Sequence, residues 1–176
     1  MLIRQWLVLA GATFKPRLRL FDECVVALRV WPNDLDLNVH MTNSRFLLAM
    51  DLGRWSFALR TGLGRELARR RWFPLLGSAT LRFRKALGPF ARYELKTSLV
   101  AWDEKWCWFE QRFCVGEAIH AVGRVKVLFR GPRGNVPTAE LLAASGAPEA
   151  PARQVPEAIR LWLEAEGAER SPRGLD

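Results

Sequence analysis

The chain predicts an α+β fold in which a strongly curved antiparallel sheet wraps around one long buried helix. Three observations carry that expectation. A single β-rich run, "CVVALRVW" at residues 24–31, comes first and stops at Pro32. A helical stretch then follows whose apolar residues occupy nearly the whole circumference: Phe46, Met50, Gly53 and Phe57 at helical spacing, with Leu47, Leu48, Leu52, Trp55 and Leu59 between them. Some sixty residues of alternating apolar and polar positions come after it. A helix apolar all round needs cover on more than one side, and a curved sheet supplies it.

In chain order, the helix runs for about four turns from Ser44 and is closed by Gly62, a residue suited to the left-handed position after a helix. "GRELARRRW" reads as a basic connector, and "SATLRFRKAL" as a strand with Leu81 and Phe83 opposed to Arg82 and Arg84. After a turn at "LGPF", "ARYELKTSLVAW" puts Tyr93, Leu95, Thr97 and Leu99 on one face against Glu94, Lys96 and Ser98. Asp103, Glu104 and Lys105 turn the chain into "WCWFEQRFCV", and Gly116-Glu117 is a two-residue hairpin turn into "AIHAVGRVKVLF". The expected order is one strand, one helix and a four-stranded meander, which is the hotdog architecture.

Three segments are expected: residues 1–19, a domain over 20–135 and an extension over 136–176. The first carries an apolar patch from Trp6 to Ala12 followed by Lys15, Arg17 and Arg19. It is too short to span a bilayer, and reads either as an interfacial anchor for anionic lipid or, preferably, as a short helix packed on its own domain. In the extension, Pro132 and Gly134 break the last strand, Thr138 is placed to cap a short helix through Ala144, and "SGAPEAPARQVP" has linker composition. Pro156 then opens a helix, near 156–166, in which Ile159, Trp162 and Leu163 form a docking stripe that Gly167 ends, with fraying from 168.

At 176 residues and 49% hydrophobic, the chain has enough apolar material for one sizeable core. The net charge is +9; residues 131–176 hold five Arg against seven Asp or Glu, which leaves +11 on residues 1–130. That field favours an anionic partner. Nucleic acid is not expected, because the eight Trp and ten Phe fall mostly at alternating strand positions rather than in a stacking platform. Cys24, Cys107 and Cys114 are odd in number and embedded in apolar strands, which fits reduced thiols in a reducing, cytoplasmic setting. No CxxC pair occurs and only His40 and His120 supply imidazole, so no metal site is expected.

Between the first strand and the helix lies "NDLDLNVHMTNSRF", residues 33–46, dense in groups that are costly to desolvate without partners. It resembles the signature of hydroxybenzoyl-CoA-thioesterase-like hotdog proteins, D-x-D-x-x-G-H-V-N-N-x-x-Y. Over residues 20–130, "WPNDLDLNVHMTNSRFLLAMDLGR" with the later "AWDEKWCWFEQRF" is similar to a thioesterase-superfamily branch that includes membrane-associated mammalian members. Val39, Met41, Thr42 and Phe46 stand where that pattern has glycine, valine, asparagine and tyrosine.

The resemblance implies acyl-CoA thioester hydrolysis, with coenzyme A as part of the substrate and no separate cofactor. Asp36 matches the carboxylate that works at the thioester carbon, as nucleophile or as general base for water, and the Asn43 amide matches the oxyanion donor, although the Asn43 side chain also suits an N-cap. His40 either orients Asp36 or bonds to backbone across the loop. Asp34 reads as a solvated turn residue. Asp51, the one acid within the helix, is the rival carboxylate unless it pairs with Arg54 or a partner-chain base. Arg82, Arg84, Lys85, Lys126 and Arg130, together with Arg69, Arg70 and Arg71, are the cations available to coenzyme A phosphates. Resembling proteins form dimers, or dimers of dimers, with shared sites. The competing expectation is a catalytically silent hotdog that binds acyl thioesters or a protein partner, with weak peripheral membrane contact through the N-terminal segment.

Overall fold

The computed structural model describes residues 9–147 and 155–169. Strand β1 (Cys24–Arg29) leads through a 3-10 turn (Pro32–Asp34) into helix α1 (Asn43–Arg60) and the shorter α2 (Leu63–Arg70). Strands β2 (Phe73–Phe83), β3 (Arg92–Trp102), β4 (Cys107–Val115), β5 (Ala118–Gly131) and β6 (Gly134–Val136) follow, then helices α3 (Thr138–Ala144) and α4 (Glu157–Glu169). All strand pairs are antiparallel in the order β1-β3-β4-β5-β2, with β6 folded back on β5.

The curved sheet around one principal helix is the hotdog fold that the sequence predicts. Its connectivity differs in one respect: β2 does not pair with β3 but crosses to the far edge beside β5, so the meander proper has three strands. Alternation specifies which face a residue occupies and says nothing about which neighbour its strand takes.

Tyr93, Leu95, Thr97 and Leu99 are buried on the concave face, as their alternation requires. They meet the buried side of α1 through an aromatic layer in which Phe46 packs on Phe113 at 4.8 Å and Phe57 on Phe109 at 5.5 Å. The helix approaches closely where side chains are missing. A Cβ on Gly53 would lie 2.7 Å from both Leu95 Cδ2 and Thr97 Oγ1, so only glycine lets the backbone sit this low. The opposite side of α1 is not covered: Leu47, Asp51, Trp55 and Leu59, spaced by four, form an exposed strip. Burial on nearly every side is therefore corrected to burial on the sheet side.

Other boundaries also shift. Gly62, at φ 79, does follow the end of α1. The basic connector is largely helix α2, because Leu63 and Leu67, one turn apart, bury themselves and leave the arginines outside. Strand β2 begins five residues before Ser78 and ends at Phe83, which puts Arg84 and Lys85 beyond it. Pro137, not Thr138, is the cap residue of α3, and the Thr138 hydroxyl instead donates to the Asp103 carbonyl.

Helix α4 docks on the convex face of the sheet. Ile159 is fully buried there with Ala101 and Trp108, flanked by Trp106, Trp162 and Leu163. Glu166 of α4 accepts hydrogen bonds from Lys126 and Ser78. Gly167 does not stop α4, which continues to Glu169; the fraying expected farther on falls outside the described residues, as does the start of the Trp6–Ala12 patch, residues 6–8. Residues 9–13 are helical, with Ala12 buried. Among the described residues no helix is long and apolar enough to cross a membrane.

Candidate active site

The loop between β1 and α1 is built on two aspartates with opposite surroundings. Asp34 is only 2% exposed. Its carboxylate accepts the Trp31 N–H at 3.0 Å, closing the 3-10 turn, and lies 3.5 Å from the Arg45 guanidinium of α1. Arg45 also donates to the Asn33 carbonyl at 2.8 Å, tying the start of the loop to the helix that follows it. The expectation of a solvated turn residue is thus corrected: Asp34 is a buried anchor, and the arginine one turn into α1 is what makes its burial affordable.

Beyond the anchor the chain makes a tight excursion. Leu35 and Met41 bridge, the Asp36 N–H donates to the His40 carbonyl at 2.9 Å, and the Thr42 N–H returns to the Asp34 carbonyl at 2.9 Å. Within it, Oδ1 of Asp36 accepts the N–H of Asn38 at 2.8 Å and, at a longer 3.3 Å, that of His40. Oδ2 takes no bond from a described residue. Asp36 is exposed, and its carboxylate is held in place by backbone on one oxygen while the other faces outward from those bonds. Val39 has φ 59, a conformation that a β-branched residue adopts only under constraint, and it does so where the resembling signature has glycine.

Helix α1 begins directly after this excursion. Thr42 takes the N-cap position, so Asn43 is the first helical residue and not the cap, and the Thr42 side chain makes no capping hydrogen bond. The Arg45 N–H donates to the Thr42 carbonyl at 2.9 Å, but the Asn43 and Ser44 amides have no acceptor among the described residues and no side-chain cap, and the helix dipole adds positive potential there. An exposed, pinned carboxylate and an uncapped helix N-terminus lie at the two ends of one closed loop. Phe46, in the tyrosine position of the signature, packs between Phe83 at 5.1 Å and Phe113, an apolar setting with no use for a hydroxyl.

His40 contributes its backbone to the turn, and its exposed ring makes no hydrogen bond to a described residue. Asp51 lies two turns farther along α1 on the exposed strip, paired with Arg54, as the more conservative expectation had it. Arg54 in turn donates to Gln111 Oε1 at 2.7 Å. Gln111, fully buried on β4, donates to the Met50 carbonyl at 2.9 Å and to Thr97 Oγ1 at 3.0 Å. Burial pulls the Arg54 pKa below the ordinary guanidinium value, and the Asp51 charge opposes that shift. Asp51 and Arg54 line a cavity of about 250 Å³ between α1, α2 and the sheet, walled by apolar groups including Phe57, Leu67, Phe109 and Val127. Sequence reasoning missed Gln111 and Thr97; the available signal was two polar residues at concave parity, Gln111 between Phe109 and Phe113 and Thr97 between Leu95 and Leu99.

The five candidate phosphate-binding cations fall in three places. Met41 donates to the Leu87 carbonyl at 2.8 Å, and the N–H groups of Arg84 and Lys85 donate to the His120 carbonyl at 2.8 and 3.0 Å. The exposed Arg82, Arg84 and Lys85 thus sit on the segment that runs beside the Asp36 loop. Arg130 pairs across β2 with Phe73, ten residues and about 33 Å from the Phe83 end of that strand. Lys126 is buried beneath α4, bonded to Glu166 at 2.8 Å and 4.7 Å from the Trp106 ring centroid, so it is not at any mouth. Arg69 and Arg70 are engaged by Glu66, whose pKa their hydrogen bonds lower. Among the described residues no cluster of His, Cys, Asp and Glu is arranged to hold a metal ion.

Comparison with known proteins bears on the family and the fold. A sequence profile described as "Thioesterase-like superfamily" matches residues 30–163. The chain is 28% identical to Protein THEM6 of Drosophila melanogaster over 160 residues, covering 90% of this chain and 81% of that one. It is 34% identical to Protein THEM6 of Danio rerio over 108 residues, covering 61% of this chain and about half, 54%, of the relative. Among solved structures, a 1,4-dihydroxy-2-naphthoyl-CoA thioesterase from Synechocystis superposes with a TM-score of 0.61 at 12% identity, covering 70% of this chain and 95% of that one.

Proposed function

The chain belongs to the thioesterase-like superfamily, and from that premise we propose that it hydrolyses acyl-CoA thioesters to the free acid and coenzyme A. The observation that carries this reading is the Asp36 carboxylate, fixed through Oδ1 by the Asn38 and His40 amides in the loop that ends at the open N-terminus of α1. Thioester hydrolysis needs an attacking oxygen and a stabilised oxyanion. Asp36 Oδ2 supplies the first, either by attacking the carbonyl carbon or by taking a proton from water, and the amide at Asn43 supplies the second. Expulsion of the coenzyme A thiolate then gives the free acid directly when water is the nucleophile; when Asp36 attacks, it gives an acyl–aspartyl anhydride that a water molecule hydrolyses, releasing the acid and restoring the carboxylate.

Arg82, Arg84 and Lys85 meet the coenzyme A phosphates beside the loop. The working unit is a dimer formed along the outer edge of β2, where Phe73, Leu75 and Leu76 are exposed on a strand paired only with β5, next to the exposed strip of α1. Such an edge-to-edge pairing brings the uncovered side of α1 against a second copy.

The test is turnover of an acyl-CoA panel by the purified chain and by Asp36→Asn. Loss of on the order of a hundredfold or more in kcat, with an unchanged Tm, is expected from removal of a general base or nucleophile. Unaltered turnover would remove Asp36 from the chemistry and bring Asp51 forward.

A further inference from the structure

We infer that the cavity under the second half of α1 receives the far end of the acyl group and that Arg54 and Asp51 read a hydroxyl there. The inference rests on the thioesterase reading for the position of the thioester, and on the cavity itself for the rest. With the carbonyl held at Asn43, Asp51 and Arg54 lie eight and eleven residues down the helix, which is about 12 and 17 Å at the helical rise. An acyl group whose ring is bonded directly to the carbonyl is too short to arrive. A linear chain of roughly ten carbons spans the shorter of those distances, to the level of Asp51, where the side chain of Arg54 also reaches, and enters a space of about 250 Å³, enough for about eight water-sized groups.

The walls set the rest of the chemistry. Phe57, Ala58, Leu63, Leu67, Phe109 and Val127 offer only hydrocarbon, and a cavity meant for a plain alkyl chain would be best left so. Yet one side carries Arg54 and Asp51, and the pair is supported from beneath by two fully buried polar residues, Gln111 and Thr97. Keeping Gln111, Thr97 and the largely buried Arg54 polar costs more than apolar replacements would, so their presence calls for something to recognise. Arg54 uses one N–H on Gln111 and one on Asp51, which leaves three of its five donors without a described partner. A carboxylate at the chain end would meet the negative charge of Asp51. A hydroxyl instead accepts from Arg54 and donates to Asp51, satisfying both without adding charge.

Two measurements test this. The first is kcat/KM for butyryl-CoA, decanoyl-CoA, 10-hydroxydecanoyl-CoA, decanedioyl-CoA and benzoyl-CoA. The second is calorimetric Kd for the non-hydrolysable thioether analogues of the decanoyl and 10-hydroxydecanoyl forms, which reads recognition even if no thioester turns over. The hydroxyl should raise both affinity and kcat/KM about tenfold over the plain chain. Arg54→Lys should remove most of that difference in Kd between the two analogues. Leu76→Trp, which fills the cavity from the β2 edge, should weaken the Kd of both ten-carbon analogues in a protein that sediments as the parent does. Equal Kd values for the two analogues, a preference for the dicarboxylic chain, or ten-carbon binding untouched by Leu76→Trp would each overturn the inference. Tighter binding of the hydroxylated analogue with no hydrolysis of any thioester would leave it standing and refute the catalytic reading alone.

Discussion

Asp34 and Asp36 are two residues apart and chemically identical, but one is buried and the other exposed; the proposed function gives the first to stability and the second to chemistry, and exchanging either for asparagine tests that division. In Asp34→Asn the side-chain oxygen retained still accepts the Trp31 N–H, but the charge facing Arg45 is gone. A charge-assisted bond contributes about 1.5–3 kcal/mol, and stranding one partner of a fully buried pair costs about 3–5 kcal/mol. Arg45 is 21% exposed and keeps its bond to the Asn33 carbonyl, which places the loss nearer the lower range, at about 2–3 kcal/mol. For a chain of this length that corresponds to a fall in Tm of about 4–12 °C. Urea unfolding gives the free energy and a thermal scan gives the Tm; kcat is measured well below the transition, where the folded fraction is still near one. A Tm within 1 °C of the parent would show that the Asp34–Arg45 pair does not anchor the loop. A hundredfold loss of kcat in a protein of undiminished stability would show that Asp34, not Asp36, is the chemically engaged carboxylate.

Other substitutions probe the rest of the frame. Gly53→Ala gains about 1 kcal/mol of helix propensity but sets a methyl 2.7 Å from Leu95 and 2.8 Å from Gln111 Nε2, and overpacking of about 1–3 kcal/mol should win, lowering the urea midpoint; a raised midpoint would mean that α1 lifts freely. Burial, with a smaller contribution from Asp103, pushes the Cys107 thiol up to about 12 from its usual 9.0. Since only the unfolded chain ionises between those values, stability is complete below pH 9 and declines as pH rises toward 12, at roughly 1.4 kcal/mol per pH unit, relative to Cys107→Val. Parallel pH–stability curves for the two proteins would contradict that assignment. Phe73→Lys puts a charge on the open β2 edge, and sedimentation should then find a species of 20.1 kDa where the parent sediments at twice that mass; a parent that is already monomeric and active would remove the β2 pairing.

The residues that were legible in the sequence are those whose environment is set by local periodicity. Tyr93, Leu95, Thr97 and Leu99 declared a face by alternation, Gly62 and Gly116 declared their turns, and Ile159 with Trp162 declared a docking helix. Decisions made by distant partners were not legible. Nothing near β2 names β5 as its neighbour. In α2 the dense arginines obscured Leu63 and Leu67, whose spacing is the only trace of a buried side. The positive charge of Lys126 was plain, but its burial depends on a helix forty residues later that brings Glu166 over it. Likewise no local feature separates Asp34 from Asp36. The difference arises when Arg45 comes round on the first turn of α1 and selects the nearer of the two.

The docking of α4 has a bearing on how the molecule is made. Trp108 is 1% exposed because Ile159 and its neighbours cover it, and those residues leave the ribosome after the whole sheet has been synthesised. Until then the outer surface around Trp106 and Trp108 faces water, and the nascent chain carries a tryptophan-rich patch that invites association. A chain shortened before Pro156 would keep that patch for life. In the finished protein the same helix occupies the back of the sheet, so two copies cannot stack back to back over Trp108 without first displacing it, and higher assembly must use some other surface.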